Sequence, residues 1–456
     1  MNGSHVVPRR FLPVFAALAS CFALWGLLNN MTDNLVPAFQ RIFGTSQSTA
    51  GYVQISFYGA YSAVALFASL LVQKAGYRCG VLAGLGVYVV GALLYVPACI
   101  AQSFWLYIVG IFVVAAGCAV LETTCNPYVL ALGDEATAVR RLNFAQMFNP
   151  LGSLVGILLA RQLILSNLHP ATADERAAMA PEILGGIVNR ELFWVCVPYV
   201  GLCTIAAAIW LFFFFSKRSD VDGASDSNAG FGTVLSILAR SPRWYLGVVA
   251  QIFYVGVQIA AWTWMNVYCQ KELGVSAKGG ATYYLVAIVC FIACRWIATF
   301  AMKYVDPARL MAMLAAVAVA CSFGVMYLPS SLLFSAVGLP FSANAICLIA
   351  MSGCMSLMFP TIYGMALEGI DPRAHKIGAA GLIMAIVGGA LLTPWMASII
   401  GDANGVWTCL TPMFSSEWDS DLQLSQMSLR ASFIVPAICF AVVLSYALLF
   451  RGGKEK

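Results

Sequence analysis

Residues 104–132 read FWLYIVGIFVVAAGCAVLETTCNPYVLAL, and the only charged side chain in the run is Glu122. A helix needs about 20 apolar residues to cross the hydrocarbon core of a bilayer, and this run exceeds that. Runs of the same kind recur at roughly 11–38, 51–73, 80–101, 142–164 and 192–216, then at 244–270, 281–303, 308–328, 338–368, 377–400 and 430–450. Of the 456 residues, 61% are hydrophobic and 10% charged. A soluble domain carries about 45–50% and about 25% respectively, so the solvent expected for this chain is lipid. The fold class is therefore all-α integral membrane protein with about twelve spans. The net charge of +5 is small and its basic residues are scattered, which argues against nucleic acid as a partner.

The only long connection on the side assigned below to the cytoplasm is 217–243, crowded in its middle with Gly, Ser and Asp. It divides the chain into a six-span half at 1–216 and a second at 244–456, the organisation expected of a two-halved transporter. A faint internal echo joins Asn126-Pro127-Tyr128, at the end of span 4, to Phe359-Pro360-Thr361, near the end of span 10. Of the 25 Lys and Arg, seven fall in segments of one side (Arg41, Arg161, Arg176, Arg190, Lys271, Lys278, Arg430) and Arg295 falls within a span. The remaining 17 lie on the other side, with both termini, which the positive-inside rule makes cytoplasmic. Arg9-Arg10 and Leu18-Ala19-Ser20-Cys21 mimic a cleavable leader. The apolar run continues to Leu28, so the segment reads as a span. Most of the 15 cysteines lie in apolar runs without a CxxC pair and read as small buried hydrophobes. The three histidines lie in polar stretches, and no metal or other cofactor is expected.

Charges within a membrane are costly and usually functional. Glu122, deep in span 4 with Asn126 one turn on, is the first candidate. Burial disfavours the ionised carboxylate and brings proton exchange within physiological reach. Asp33 lies in the polar patch Asn29-Asn30-Met31-Thr32-Asp33-Asn34, on one helical face with Trp25 and Asn29, in what reads as a long or bent span 1. Arg295 is too deep for an ordinary flank and is read as a possible gating group, or as snorkelling to the inner surface. Glu368 reads as an end charge pairing with Arg373.

Two amide stripes accompany these charges. Asn143, Gln146 and Asn149 share one sector of span 5; Gln251, Tyr254, Gln258, Trp262 and Asn266 share one of span 7. Amides can simply glue helices together. Their number, with Trp25 and Trp262, suits a ligand bearing many hydroxyls and one apolar face, which makes a sugar the expected substrate. Candidate substrate contacts are Asn30, Glu122, Gln146, Asn149, Gln251, Tyr254, Gln258 and Trp262.

At WGLLNNMTDNLVPAF (25–39), LETTCNPYV (121–129), RLNFAQMFNPLG (141–152) and AQIFYVGVQIAAW (250–262) the chain resembles the fucose permease branch of the major facilitator superfamily. Phe359-Pro360-Thr361-Ile362 and Gly388-Gly389…Thr393-Pro394 agree, so the resemblance covers nearly the whole chain. It implies twelve helices in two pseudo-symmetric halves and proton-driven uptake of a hexose or deoxyhexose across the inner membrane. It implies that Asp33 and Glu122 couple protons to sugar, and that Gln146 and Asn149 touch the sugar. A monomer is expected, with lipid, protons and a monosaccharide as its partners. Two departures stand out. The superfamily's G-x-x-x-D-R-x-G-R pattern after span 2 lacks its aspartate here, where the chain reads Gln73-Lys74-Ala75-Gly76-Tyr77-Arg78-Cys79-Gly80. The segment 402–429 is longer than expected.

Rival classes leave other marks. An intramembrane aspartyl protease would carry Gly-x-Gly-Asp, yet Gly133-Asp134 and Gly401-Asp402 both lack the first glycine; neither Gly-x-Ser-x-Gly nor His-Glu-x-x-His is present. A P-loop for ATP-driven pumping is also missing from the chain. A proton-driven exporter of hydrophobic compounds would have few amides in its spans. An uncoupled sugar facilitator stays open at this stage.

Overall fold

The computed structural model describes residues 6–33, 35–50, 52–171, 175–176, 178–216, 231–336, 338–401 and 422–451. Among them are twelve helical stretches long and apolar enough to span a bilayer. Spans 1–6 are Arg9–Thr32, Tyr52–Ala75, Tyr77–Ile100, Phe104–Ala131, Glu135–Asn167 and Pro181–Phe215; spans 7–12 are Pro242–Leu273, Gly279–Ala301, Pro307–Tyr327, Ala343–Leu367, His375–Ile400 and Gln426–Leu449. Much of the long connection (217–230) and most of the unexplained segment (402–421) lie outside the described residues.

Several spans are broken four residues before a proline. A proline has no N–H to donate to the carbonyl four residues back, and its ring crowds that carbonyl. The first helix is described through Asp33, Asn34 lies outside the described residues, and the chain is helical again over Leu35–Phe43. Span 3 breaks after Leu93 (Pro97), span 5 after Gln146 (Pro150), and span 10 at Ser356 (Pro360). Pro127, Pro198 and Pro394 sit inside helices that continue through them.

The chain forms two compact units. The first consists of Met1–Arg141, Ala145–Ile237 and Ile370–Met384. Inside it, spans 1 and 5 touch backbone to backbone. A Cβ on Gly152 would lie 2.0 Å from the Ala23 carbonyl oxygen, one on Gly156 would lie 2.4 Å from that of Leu27, and one on Gly26 would lie 2.2 Å from that of Asn149. Lipid offers helices no hydrophobic reason to associate, so close approach through small residues supplies the packing. The second unit consists of Leu142–Phe144, Leu238–Gly369 and Ala385–Lys456 and repeats the device between spans 7 and 11. There a Cβ on Gly388 would meet the Ile252 carbonyl oxygen at 2.0 Å.

Three expectations change. Span 6 starts at Pro181, not 192, because Glu191 is not an end charge. It is buried and held by Arg176 at 2.5 and 3.0 Å, a pairing that hydropathy cannot see. Span 10 starts at Ala343, not 338; the uncharged stretch before it forms a hairpin of β1 (Leu332–Ala336) and β2 (Leu339–Ser342). Glu368 pairs with Arg243 at 2.6 Å, while Arg373 chelates Asp371, so the expected Glu368–Arg373 pair is not formed.

Basic residues also finish helices from a distance. Buried Arg141 donates to the carbonyls of Val129 (2.7 Å) and Leu130 (2.5 Å) at the end of span 4, and Arg78 does the same for Phe213 and Phe214 at the end of span 6. The last carbonyls of a helix are short of partners, and the negative end of the helix dipole favours the cation.

Candidate functional site

In the first unit the site is built around Glu122. Its residue is 8% exposed, in the middle of the most apolar span. Tyr61 of span 2 and Cys118, one turn before Glu122, lie beside its carboxyl group. No basic side chain among the described residues forms an ion pair with Glu122, which leaves its carboxyl able to exchange a proton without leaving a cation behind. One turn along, the Asn126 amide donates to the Glu122 carbonyl at 2.8 Å and accepts from Gln146 Nε2 at 2.8 Å. Glu122, Asn126 and Gln146 thus form one chain of contacts linking span 4 to the break in span 5. The freed carbonyl at that break belongs to Gln146 itself.

Asn149 is half-buried one turn beyond Gln146, with its carbonyl against Gly26 of span 1. Asn30 is half-buried and donates to the Gly26 carbonyl at 3.1 Å. Beside it, Asn29 Oδ1 is buried and accepts no hydrogen bond. Asn30 and Asn149 are therefore brought to one close helix crossing. Asp33 lies in the first helix, but its side chain lies outside the described residues, as does Asn34. Asn143 departs from its stripe: it lies in the second unit and donates to Thr361 Oγ1 at 3.3 Å.

In the second unit the span 7 stripe divides. Gln251 is 0% exposed and both atoms of its amide lack a hydrogen-bond partner. Such a group costs about 1–3 kcal/mol unless something completes it. Tyr254 is equally buried and donates to the Met355 carbonyl at 3.0 Å, beside the span 10 break. Gln258 is half-buried. Trp262 gives its indole N–H to Ser352 at 3.0 Å and packs its ring edge-on to Phe291. Asn266 is tied into the C-terminal end of span 7, accepting from Gln270 at 3.0 Å.

Arg295 does not snorkel. It is 3% exposed, its guanidinium lies 4.8 Å from the Phe291 ring, and its Nε donates at 2.5 Å to the Ser356 carbonyl. That is the carbonyl that Pro360 leaves without a helical donor, so Arg295 and Tyr254 together occupy the opening in span 10. Tyr61 and Asn126 were not named as site residues from the sequence. Asn126 was visible as a polar residue one turn from Glu122; Tyr61 carried no signal, because a tyrosine in an apolar run is ordinary.

No group of three or more possible metal ligands occurs among the described residues. The arrangement can hold a neutral ligand by hydrogen bonds and carry one proton on a buried carboxylate.

Comparison with known proteins gives a consistent answer. The sequence profile of the Major Facilitator Superfamily matches residues 15–394. The L-fucose-proton symporter of Haemophilus influenzae is 37% identical over 99% of this chain and 99% of its own. That of Escherichia coli K12 is 32% identical over 96% of this chain and 93% of its own. A glucose/galactose transporter of Brucella abortus is 28% identical, over 96% of this chain and 94% of its own. Among solved structures, that of the transporter FucP in the outward conformation superposes with a TM-score of 0.83 at 30% identity, covering 97% of this chain and 99% of that one.

Proposed function

Because the chain belongs to the Major Facilitator Superfamily, we propose that it is a proton-coupled symporter taking up a monosaccharide, L-fucose or a related hexose, by alternating access. It is a multi-pass membrane transporter and not an enzyme. The observation that carries the reading is the Glu122 carboxyl, buried in an apolar span with no ion-pair partner among the described residues, one turn from the Asn126–Gln146 amide pair. A charge there cannot cross the bilayer cheaply, whereas a protonated acid beside a bound sugar can.

In this reading Glu122 and Asp33 take the proton. Glu122, Asn30, Gln146 and Asn149 hold the sugar from one half, residues 1–216. Gln251, Tyr254, Gln258 and Trp262 serve the other, residues 244–456, with 217–243 as the linker. Arg295 holds the span 10 opening and acts as a gating group. The Lys and Arg distribution supports cytoplasmic termini in the inner membrane, and each chain works as a monomer. The amide content of spans 5 and 7 opposes the exporter reading.

The test is uptake of labelled L-fucose into cells expressing the chain, challenged with a panel of unlabelled hexoses. L-Fucose or a close hexose should compete best. Proton-driven export of small hydrophobic compounds, with no sugar competing, contradicts the proposal.

A further inference from the structure

We propose that the second unit carries a binding site for one anionic phospholipid, in the groove between spans 7 and 12. This site is separate from the sugar site and does not depend on which sugar is carried. The groove encloses about 340 Å³ and is lined by Leu246 and Val249 from span 7 and by Ile438, Ala441, Val442 and Ser445 from span 12. Its walls are almost entirely apolar, and Val249, Ile438 and Ala441 are exposed. In a chain that spans a bilayer, such exposed apolar side chains face acyl chains. A concave apolar surface of this volume accepts part of one acyl chain in a fixed place, which a flat helix face does not.

One end of the groove is basic. The Tyr446 hydroxyl donates to the Arg243 carbonyl at 3.2 Å, and the Arg243 guanidinium lies 5.8 Å from the Phe450 ring, so the start of span 7 and the end of span 12 are held together. Arg240 lies two residues before span 7 and Arg451 two residues after span 12, and both are exposed. Arg243 lies between them, paired with Glu368. Three cations and one anion leave this rim at about +2. The Arg243 Nε is buried and has no acceptor among the described residues. A phosphodiester beside Arg240 and Arg451, with its chain in the groove, satisfies both the charge and the apolar wall. A second copy of the chain would bring an equally positive rim to the same place, and a zwitterionic lipid returns its own cation.

The occupant is thus a lipid with net negative charge, and each exposed arginine is expected to contribute about fivefold to its preference. The test is native mass spectrometry of the full chain taken from vesicles holding equal amounts of phosphatidylglycerol and phosphatidylcholine. Wild type should retain one phosphatidylglycerol in preference to phosphatidylcholine. Arg240→Gln with Arg451→Gln should reduce that preference by roughly 25-fold. Ala441→Trp, at an exposed position, should fill the groove and lose the retained lipid altogether. Sugar binding should persist in both variants, showing that they fold. Equal retention of the two lipids by wild type overturns the proposal, as does an unchanged preference in the double variant. Displacement of the lipid by millimolar inorganic phosphate also overturns it, because the groove then plays no part.

Discussion

Glu122 is proposed to carry the proton and Asn149 only to hold the sugar, so their substitutions should fail differently. Exchange of labelled for unlabelled sugar needs no net proton release, since a protonated, loaded carrier can shuttle. Glu122→Gln imitates the neutral, protonated acid. It should lose accumulation driven by a pH gradient yet retain some counterflow, whereas Glu122→Ala should lose both. Asn149→Ala removes a partner from a desolvated site at about 1–3 kcal/mol, weakening sugar binding about 5- to 150-fold while the protein still folds. Equilibrium binding and counterflow in reconstituted vesicles separate these outcomes; wild-type affinity in Asn149→Ala places the sugar elsewhere. Asp371 will not confuse the pH profile. Its hydrogen bonds from Arg373 hold it down to about 2, so it stays ionised above about pH 4. Charged and amide residues were legible in the sequence because each interrupts an apolar run. The roles of Tyr61, Arg141 and Arg176 were not, because each depends on a partner that only folding brings near.

The spans show what hydropathy can and cannot read. It located twelve apolar stretches but ran through the uncharged hairpin before span 10 and stopped short at Glu191, whose charge is neutralised by Arg176. The breaks were written as prolines four residues downstream, yet Pro127 and Pro198 are tolerated without a break, so a proline alone does not decide. Two of the breaks fall at Gln146 and at the carbonyl held by Arg295, so the same rule that interrupts the helix places polar backbone at the candidate site. Helix contact is equally specific. Gly152 faces the Ala23 carbonyl with no room for a Cβ, while Gly59 has nothing within 4 Å. Gly152→Val should part spans 1 and 5, at a cost of about 1–3 kcal/mol or more, and abolish transport. Gly59→Val should be neutral. Thermal unfolding in detergent with parallel uptake assays checks both, and a silent Gly152→Val would show that the crossing is looser than the structure has it.

At the scale of the whole molecule, symport requires that sugar and proton share one transition. Neither should cross alone, and a proton gradient should drive sugar uphill. That coupling rests on a carboxyl group with no ion-pair partner among the described residues, so proton and sugar movement must be stoichiometrically linked in the intact chain. The direct measurement is the pH of a weakly buffered suspension of de-energised cells expressing the protein, recorded as sugar is added. The account predicts prompt alkalinisation with L-fucose or the preferred hexose. The change should be abolished by a protonophore and absent in Glu122→Gln. Entry of labelled sugar with no change in external pH, at a rate indifferent to an imposed gradient, would contradict it and make the protein a facilitator.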